Sequence, residues 1–521
     1  MNAKIDHFSE LSKFLGDKSS VCADFLSLLG EFKLGHSLFK LKMEKQKGLK
    51  SITLLQYLLI FRLCGCSIHQ SLYSRFRGFI DGGKNQFYRF LTRPGMDWRR
   101  LLYSTAKSFF RIVWKRSYET GAPTLYFILD DTTIEKFGIC MEGISKVFDH
   151  IAQTVVLGYK LLLLTVSDGK SIIPLDFSLH AESGRKNNFG LSDRQLSARF
   201  RKSRKDGDCA RKRAEELLLG KPEVAVNMIK RAVRNGFNAR YLLMDKWFFG
   251  EELIRQVRSI RKGLIHIVTL LRKKETCFTV GGCRKSAKVL IAEAERKGRF
   301  RSCRKYRSTY ACIRAEYRDI PVQLFIIRYG KSSKYEVMIT TDMSLNFVQT
   351  FEKYQIRWSI EVLFYESKQY LELGRCQSTD LDAQIADATL AFIAHTVISL
   401  RKRFSDYETF GNLFRDIRDG FLELTFIERL LPIIARLLER IALIFGISLD
   451  ELLEKAIADI QARKILKCIL LSDNQQFKEP ALVLHFLCRK SENTYLLTIL
   501  FNFSNNQIPV SAASEGVGNL S

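Results

Sequence analysis

At 521 residues the chain is too long for one ordinary domain, and a hydrophobic content of 46% is ample for three or four packed units. A formal charge of +28, from 83 Lys and Arg against 55 Asp and Glu, points to a polyanionic partner, nucleic acid first. No apolar run approaches the roughly 18 residues of a spanning helix, so no membrane partner is expected.

Residues 1–118 read as short amphipathic helices with a DNA-binding character. Leu54, Leu55, Tyr57, Leu58 and Leu59 form an apolar patch. Arg75, Phe76, Arg77, Phe87, Tyr88 and Arg89 interleave cations with rings, which suits phosphate contact plus stacking, and equally suits ordinary packing with exposed arginines. Met1 to His7 lack a basic-then-apolar signal, and twelve cysteines without framework spacing are expected to be reduced thiols in a cytosol. Cys277, Cys283, Cys303 and Cys312 cluster loosely, but no paired spacing makes a zinc site.

After Pro123 the character changes. The apolar run Thr124 to Leu129 predicts a strand buried on both faces, ending in Asp130, Asp131, Thr132 and Thr133. Leu157–Val166 and Ser171–Leu179, joined by Asp168, Gly169 and Lys170, predict a hairpin. A helix is expected over Ala210–Arg234, then a strand from Arg240 to Met244 that ends at Asp245. Eleven Lys or Arg against three Asp between Arg185 and Arg213, with Arg201, Lys202 and Arg204 among them, suit a loop that tracks DNA beside the active site, and alternatively a solvated, mobile charge run. Residues 264–343 alternate like strands and read as a β-rich insertion. Beyond Asp380 the pattern is helical and leucine-rich to about residue 471, and the tail after 472 has no assignment.

The most informative stretch runs from Tyr354 to Lys368. On a helix, Tyr354, Arg357, Glu361 and Lys368 fall within roughly 60° of one another, a mixture that suits metal binding through Glu361 and phosphate contact through its neighbours. Carboxylates at two strand ends and on a helix are what divalent cations need for phosphodiester chemistry, and no convincing nucleophilic triad competes. Trp247, Phe248 and Trp358 are read as core residues supporting the sheet.

Asp130-Asp131-Thr132-Thr133, then Asp245 followed by Trp247, Phe248 and Phe249, then Tyr354-x2-Arg357-x3-Glu361-x6-Lys368 resemble, in order, the motifs of DDE-type cut-and-paste insertion-sequence transposases of the bacterial Y-R-E-K group. The resemblance covers roughly residues 124–400. It implies an α/β, ribonuclease-H-like mixed sheet with a β-rich insertion, flanked by N- and C-terminal helical regions. The corresponding divisions are 1–118, catalytic core 119–260, insertion 261–345, core 346–400 and C-terminal 401–521. It further implies cleavage of double-stranded DNA at transposon ends and strand transfer, with two Mg²⁺ ions (Mn²⁺ as substitute), a homodimer on DNA and a cytoplasmic, nucleoid-associated location. Asp130 or Asp131, Asp245 and Glu361 would be catalytic metal ligands, and Tyr354, Arg357 and Lys368 DNA contacts. Adjacent strand residues face opposite ways, so one aspartate of the pair can readily face the metals, and Asp130 is preferred. Another endonuclease of the same fold and a non-catalytic DNA-binding descendant are the alternatives.

Overall fold

The computed structural model describes residues 25–448 and 451, except 77–81, 118–122, 201, 331 and 333, and omits the side chains of 75, 423–436, 438 and 439. Its organising strand is the one the apolar run predicts, β1 (Tyr126–Glu135), whose first four residues are buried. There follow β2 (Ser145–Asp149), β3 (Thr154–Ser167) and β4 (Ile172–His180). β3 and β4 form the expected hairpin: Gly169 takes φ +86°, and Asp168 Oδ1 accepts the N–H groups of Lys170 (3.1 Å) and Ser171 (2.9 Å). β5 (Tyr241–Met244) pairs in parallel with β1, and β6 (His266–Leu270) in parallel with β5.

The β-rich segment extends this sheet. It contributes β7 (Cys277–Val280), β8 (Cys283–Ser286), β9 (Arg301–Cys303), β10 (Ser308–Tyr317), β11 (Ile320–Tyr329) and β12 (Tyr335–Thr340). β12 joins β6, giving twelve strands in the order β2-β3-β1-β5-β6-β12-β11-β10-β7-β8, with β4 beside β3 and β9 beside β10. Alternating residues of β10 to β12 bury one apolar cluster around Ala311, Leu324 and Ile339 and another around Phe325, Met338 and Phe347.

The longer helices among the described residues are α1 (Leu34–Lys40), α2 (Ser51–Leu63), α3 (Lys84–Leu91), α4 (Trp98–Arg116), α5 (Cys209–Glu216), α6 (Lys221–Arg234), α7 (Glu251–Ser259), α8 (Ala287–Arg296), α9 (Phe347–Gln355), α10 (Ser359–Gln369), α11 (Leu381–Arg403) and α12 (Phe410–Phe445). The stretch expected as one helix over Ala210–Arg234 is two, because Gly220 opens the chain and Pro222 starts α6 in its first turn. Phe76 and Phe87 are buried against Phe61, at 5.3 and 5.6 Å between ring centroids, so they serve packing; Arg77 and the Arg75 side chain lie outside the described residues. α11 corrects the expectation about apolar runs: it is long and apolar enough to cross a bilayer, as are α2 and Ile68–Ser74 if counted together across a 100° bend. α11 is mostly buried in protein, which is the environment of a core helix.

Residues 27–414 make one compact unit. The other contains residues 25–26, 415–448 and 451 among those described, and within it Phe25 meets Phe421 edge-on at 6.1 Å. The unassigned tail after 472 lies outside the described residues.

The DNA-tracking loop is overturned at its centre. Lys202 Nζ pairs with Asp380 (2.9 Å) and Asp382 (2.6 Å), and Arg204 pairs with Glu142 (2.6 Å) and Asp382 (3.1 Å). Arg199 is buried, 3.5 Å from the Phe189 ring centroid, and Arg201 lies outside the described residues. These cations point inward because buried carboxylates at the start of α11 need them, and losing one partner of such a pair costs about 3–5 kcal/mol.

His180, at the end of β4, is buried between Ser178 Oγ (2.6 Å) and the Leu219 carbonyl (3.1 Å), so Nδ1 donates to Leu219 and Nε2 accepts from Ser178. Burial pushes its pKa down from the ordinary 6.5 to about 4. With the folded value below the unfolded one, the neutral ring's contribution is present above pH 6.5 and is lost as pH falls toward 4, on the order of 3 kcal/mol in all. Thermal melts of wild type and His180→Gln from pH 7 to 4 should therefore converge, the variant falling less steeply; parallel curves would contradict this.

Candidate active site

β1 and β5 lie side by side in parallel with Leu129 opposite Met244, so Asp130 and Asp245 leave neighbouring strands at the same level. The pleat sends Asp130 and Thr132 to one face of β1 and Asp131 and Thr133 to the other. On the Asp130 face lies α10. Arg357, in the turn just before it, donates from Nη1 to Asp130 Oδ2 (3.1 Å) and from Nη2 to Glu361 Oε1 (2.8 Å). About two turns beyond Glu361, Lys368 Nζ donates to Thr132 Oγ1 (2.8 Å) and to the Thr133 carbonyl (2.9 Å). Asp131 instead pairs with Lys221 Nζ at 2.9 Å, at the start of α6. The structure thus brings Asp130, Arg357, Glu361 and Lys368 together along β1 and turns Asp131 away.

The expected single helix over residues 354–368 is interrupted. α9 ends at Gln355, Ile356–Trp358 form a 3₁₀ turn, and α10 begins at Ser359. The turn is short enough that Arg357 and Glu361 keep their i,i+4 relation. Tyr354 packs against the Phe325–Phe347 cluster with the Arg357 guanidinium 5.5 Å from its ring centroid. Burial pushes its phenol up to about 12, which keeps the hydroxyl protonated at neutral pH.

Burial also raises the Asp130 carboxyl to about 7. The Asp131 N–H (2.8 Å) and Arg357 lower it, while Asp131 and Asp245 raise it. Burial opposes the charge on Arg357, but Tyr354, Asp130 and Glu361 outweigh it and hold the guanidinium above its ordinary value. Burial lowers the ammonium groups of Lys368 and of Lys160, which donates to Thr133 Oγ1 at 2.9 Å on the Asp131 face.

Among the described residues no group of three or more His, Cys, Asp or Glu is gathered closely enough to hold a metal ion. The reason is visible at each carboxylate: Asp130 and Glu361 are turned onto Arg357, Asp131 onto Lys221, and Asp245 Oδ2 accepts the Trp247 N–H (2.9 Å). The donor chemistry nevertheless fits a hard divalent cation. Asp130, Asp245 and Glu361 offer carboxylate oxygens only, and a positive charge already stands between two of them in the form of Arg357.

Lys221 and Lys160 were not singled out from sequence; the Gly220–Pro222 helix start marks where α6 begins but carries no signal of the Asp131 partner. Lys221 Nζ lies 4.8 Å from the centroid of Trp247. Of the three aromatics expected in the core, Phe248 is buried, whereas Trp247 and Trp358 are exposed.

With this geometry in view, the chain matches, over residues 55–313, a family model described as DDE superfamily endonuclease. The matched stretch includes Asp130, Asp131 and Asp245 and stops short of Glu361. It supports a DDE-type endonuclease or transposase, a class of enzymes that generally use divalent metals. No curated protein matches the chain.

Mg²⁺ should raise the thermal midpoint of the wild-type protein by a few degrees, through preferential binding to the folded state, and should do much less for Asp130→Asn. Equal shifts in both proteins would place the ion elsewhere.

Proposed function

We propose that this chain is a DNA transposase that cleaves the ends of its own element and joins them to target DNA by a cut-and-paste route. The observation that carries the proposal is Arg357 bridging Asp130 and Glu361, beside a parallel neighbour strand that ends in Asp245. The family match supports the nuclease class, and the Tyr354-Arg357-Glu361-Lys368 set supports the bacterial Y-R-E-K group within it. The mixed sheet, with Asp130 and Asp245 just past the point where the parallel pairing of adjacent strands stops, supports a ribonuclease-H-like core.

Asp130, Asp245 and Glu361 would hold Mg²⁺ or Mn²⁺, which supplies charge neutralisation and activates a water or a 3′-hydroxyl for attack on the phosphodiester. The residues do the positioning. Asp130, in the middle of β1 just past its buried first four residues, is held in place by the Asp131 N–H, and Glu361 by a helix packed on that strand. Arg357 holds the two carboxylates in register and offers a planar fork of donors to a phosphate once they turn elsewhere. Lys368 fixes the distal half of β1 against α10 and places an ammonium where the DNA backbone would leave the site. Tyr354 contributes a protonated hydroxyl. Asp131, committed to Lys221, has no part in this scheme. The DNA substrate is double-stranded, the active assembly a homodimer on two ends, and the location the bacterial cytoplasm at the nucleoid.

The test uses a plasmid carrying the gene with its flanking DNA, purified protein and Mg²⁺. Wild type should cut at the outer borders of the element and transfer the freed 3′-ends. Glu361→Gln should lose more than about 100-fold in cleavage, beyond what the loss of a supporting partner costs a metal site. Asp131→Asn should retain cleavage. Hydrolysis without transfer would favour another endonuclease; an active Glu361→Gln would refute the assignment.

A further inference from the structure

A cavity of about 610 Å³ opens between α4, α5 and α6. Seven Lys or Arg and two Asp line it, a surplus of five positive charges. Its floor is an ion cluster built on Asp176, which is fully buried on β4. Arg99 (2.8 Å) and Arg231 (2.8 Å) pair with Asp176, Arg231 also reaches Glu216 (3.2 Å), and Arg213 stands 3.8 Å from Asp176.

The cluster is short of negative charge. Two carboxylates serve three guanidiniums, and Nη2 of Arg213 and Nη2 of Arg231 are buried with no partner among the described residues, as is the Trp98 indole N–H. All three residues line the cavity. Arg213 shows the same deficit electrostatically: burial, then Arg99, lowers its pKa to about 10. At the rim, Arg100, Lys212 and Arg234 are exposed, and Arg100 pairs with Asp97 (3.5 Å), which lines the same cavity. The first turn of α5 contributes Cys209 and Ala210 to the wall, and its N-cap Asp208 makes no side-chain capping bond. A positive helix end thus faces the same space.

We propose that this cavity is a phosphate-binding subsite, separate from the carboxylate centre, that takes a phosphate of a DNA backbone or of a free phosphorylated compound. A phosphate oxygen set supplies the negative charge and the acceptors that the Asp176 cluster and the α5 terminus lack. The position suits a strand that has passed the catalytic centre. α6 runs from Lys221, at Asp131, to Arg231, at Asp176, ten residues or about 15 Å along its axis. One helix therefore spans the distance from the edge of the candidate active site to the cavity floor.

The test reads binding alone, so it stands or falls separately from the catalytic proposal. Full-length protein is titrated with pyrophosphate in EDTA, which removes any divalent ion that could bridge the anion to Asp130 or Glu361. The triple variant Arg100→Glu, Lys212→Glu, Arg234→Glu is compared with wild type and with a charge-matched control, Arg284→Glu, Lys288→Glu, Arg296→Glu, on the β-rich segment. Wild type and control should bind saturably, and the rim variant at least tenfold more weakly. A labelled DNA duplex then distinguishes the sources. If the cavity holds backbone phosphate, the slope of log affinity against log salt falls by about two to three in the rim variant relative to the control. An unchanged slope with lost pyrophosphate binding assigns the site to a free phosphorylated compound. Pyrophosphate binding that is absent from wild type, or equal in the rim variant and wild type, overturns the proposal.

Discussion

The guanidinium of Arg357 is the constraint on which the candidate active site depends. It joins a carboxylate on a buried strand to a carboxylate on a helix, and without it Asp130 and Glu361 would be two like charges beside an apolar sheet. The pair is close in chain on one side (Arg357 to Glu361, one helical turn) and distant on the other (Arg357 to Asp130), so the contact also fixes how α10 docks on β1. Removing one member of a buried pair of this kind leaves the other charge uncompensated. The arrangement is stable as it stands and yet poised, because Asp130 keeps a raised proton affinity despite its cationic neighbour. A second cation is the simplest way to satisfy it.

The surroundings hold that geometry from several directions. β1 is gripped by β3 along its whole length and by β5 along its first four residues. α10 is tied at one end through Lys368 to β1 and behind through Glu366 to His395 of the buried α11, at 2.9 Å. α11 is anchored in turn by Asp382, which receives Lys202 and Arg204. The basic segment before α5 therefore contributes to the site by holding a core helix in place.

Much of this was legible in the sequence where the cause is local. The β3–β4 hairpin follows from Asp168 and Gly169, whose side chain and φ close the turn without help from elsewhere. The clustering of Arg357 with Glu361 follows from helical spacing, and even a 3₁₀ turn did not disturb it. What was not legible depends on partners far along the chain. Asp130 and Asp131 are chemically identical, and which one meets Arg357 is decided by the face of β1 that α10 covers. Lys202 and Arg204 look like a solvated basic run until Glu142, about sixty residues before, and Asp382, about 180 after, fold onto them. α11 has the composition of a spanning helix because a core helix surrounded by protein obeys the same apolar rule.

The central claim is that Asp130, Asp245 and Glu361 form one metal site that Arg357 occupies electrostatically until the ion arrives. A crystal structure of the protein with Mn²⁺ and a DNA end, using the anomalous signal of manganese, addresses it most directly. The account predicts an anomalous peak within coordination distance of Asp130 and Glu361, Asp245 turned from its own turn toward it, and the Arg357 fork moved onto a DNA phosphate. Manganese bound elsewhere, with Arg357 still bridging both carboxylates, would contradict it.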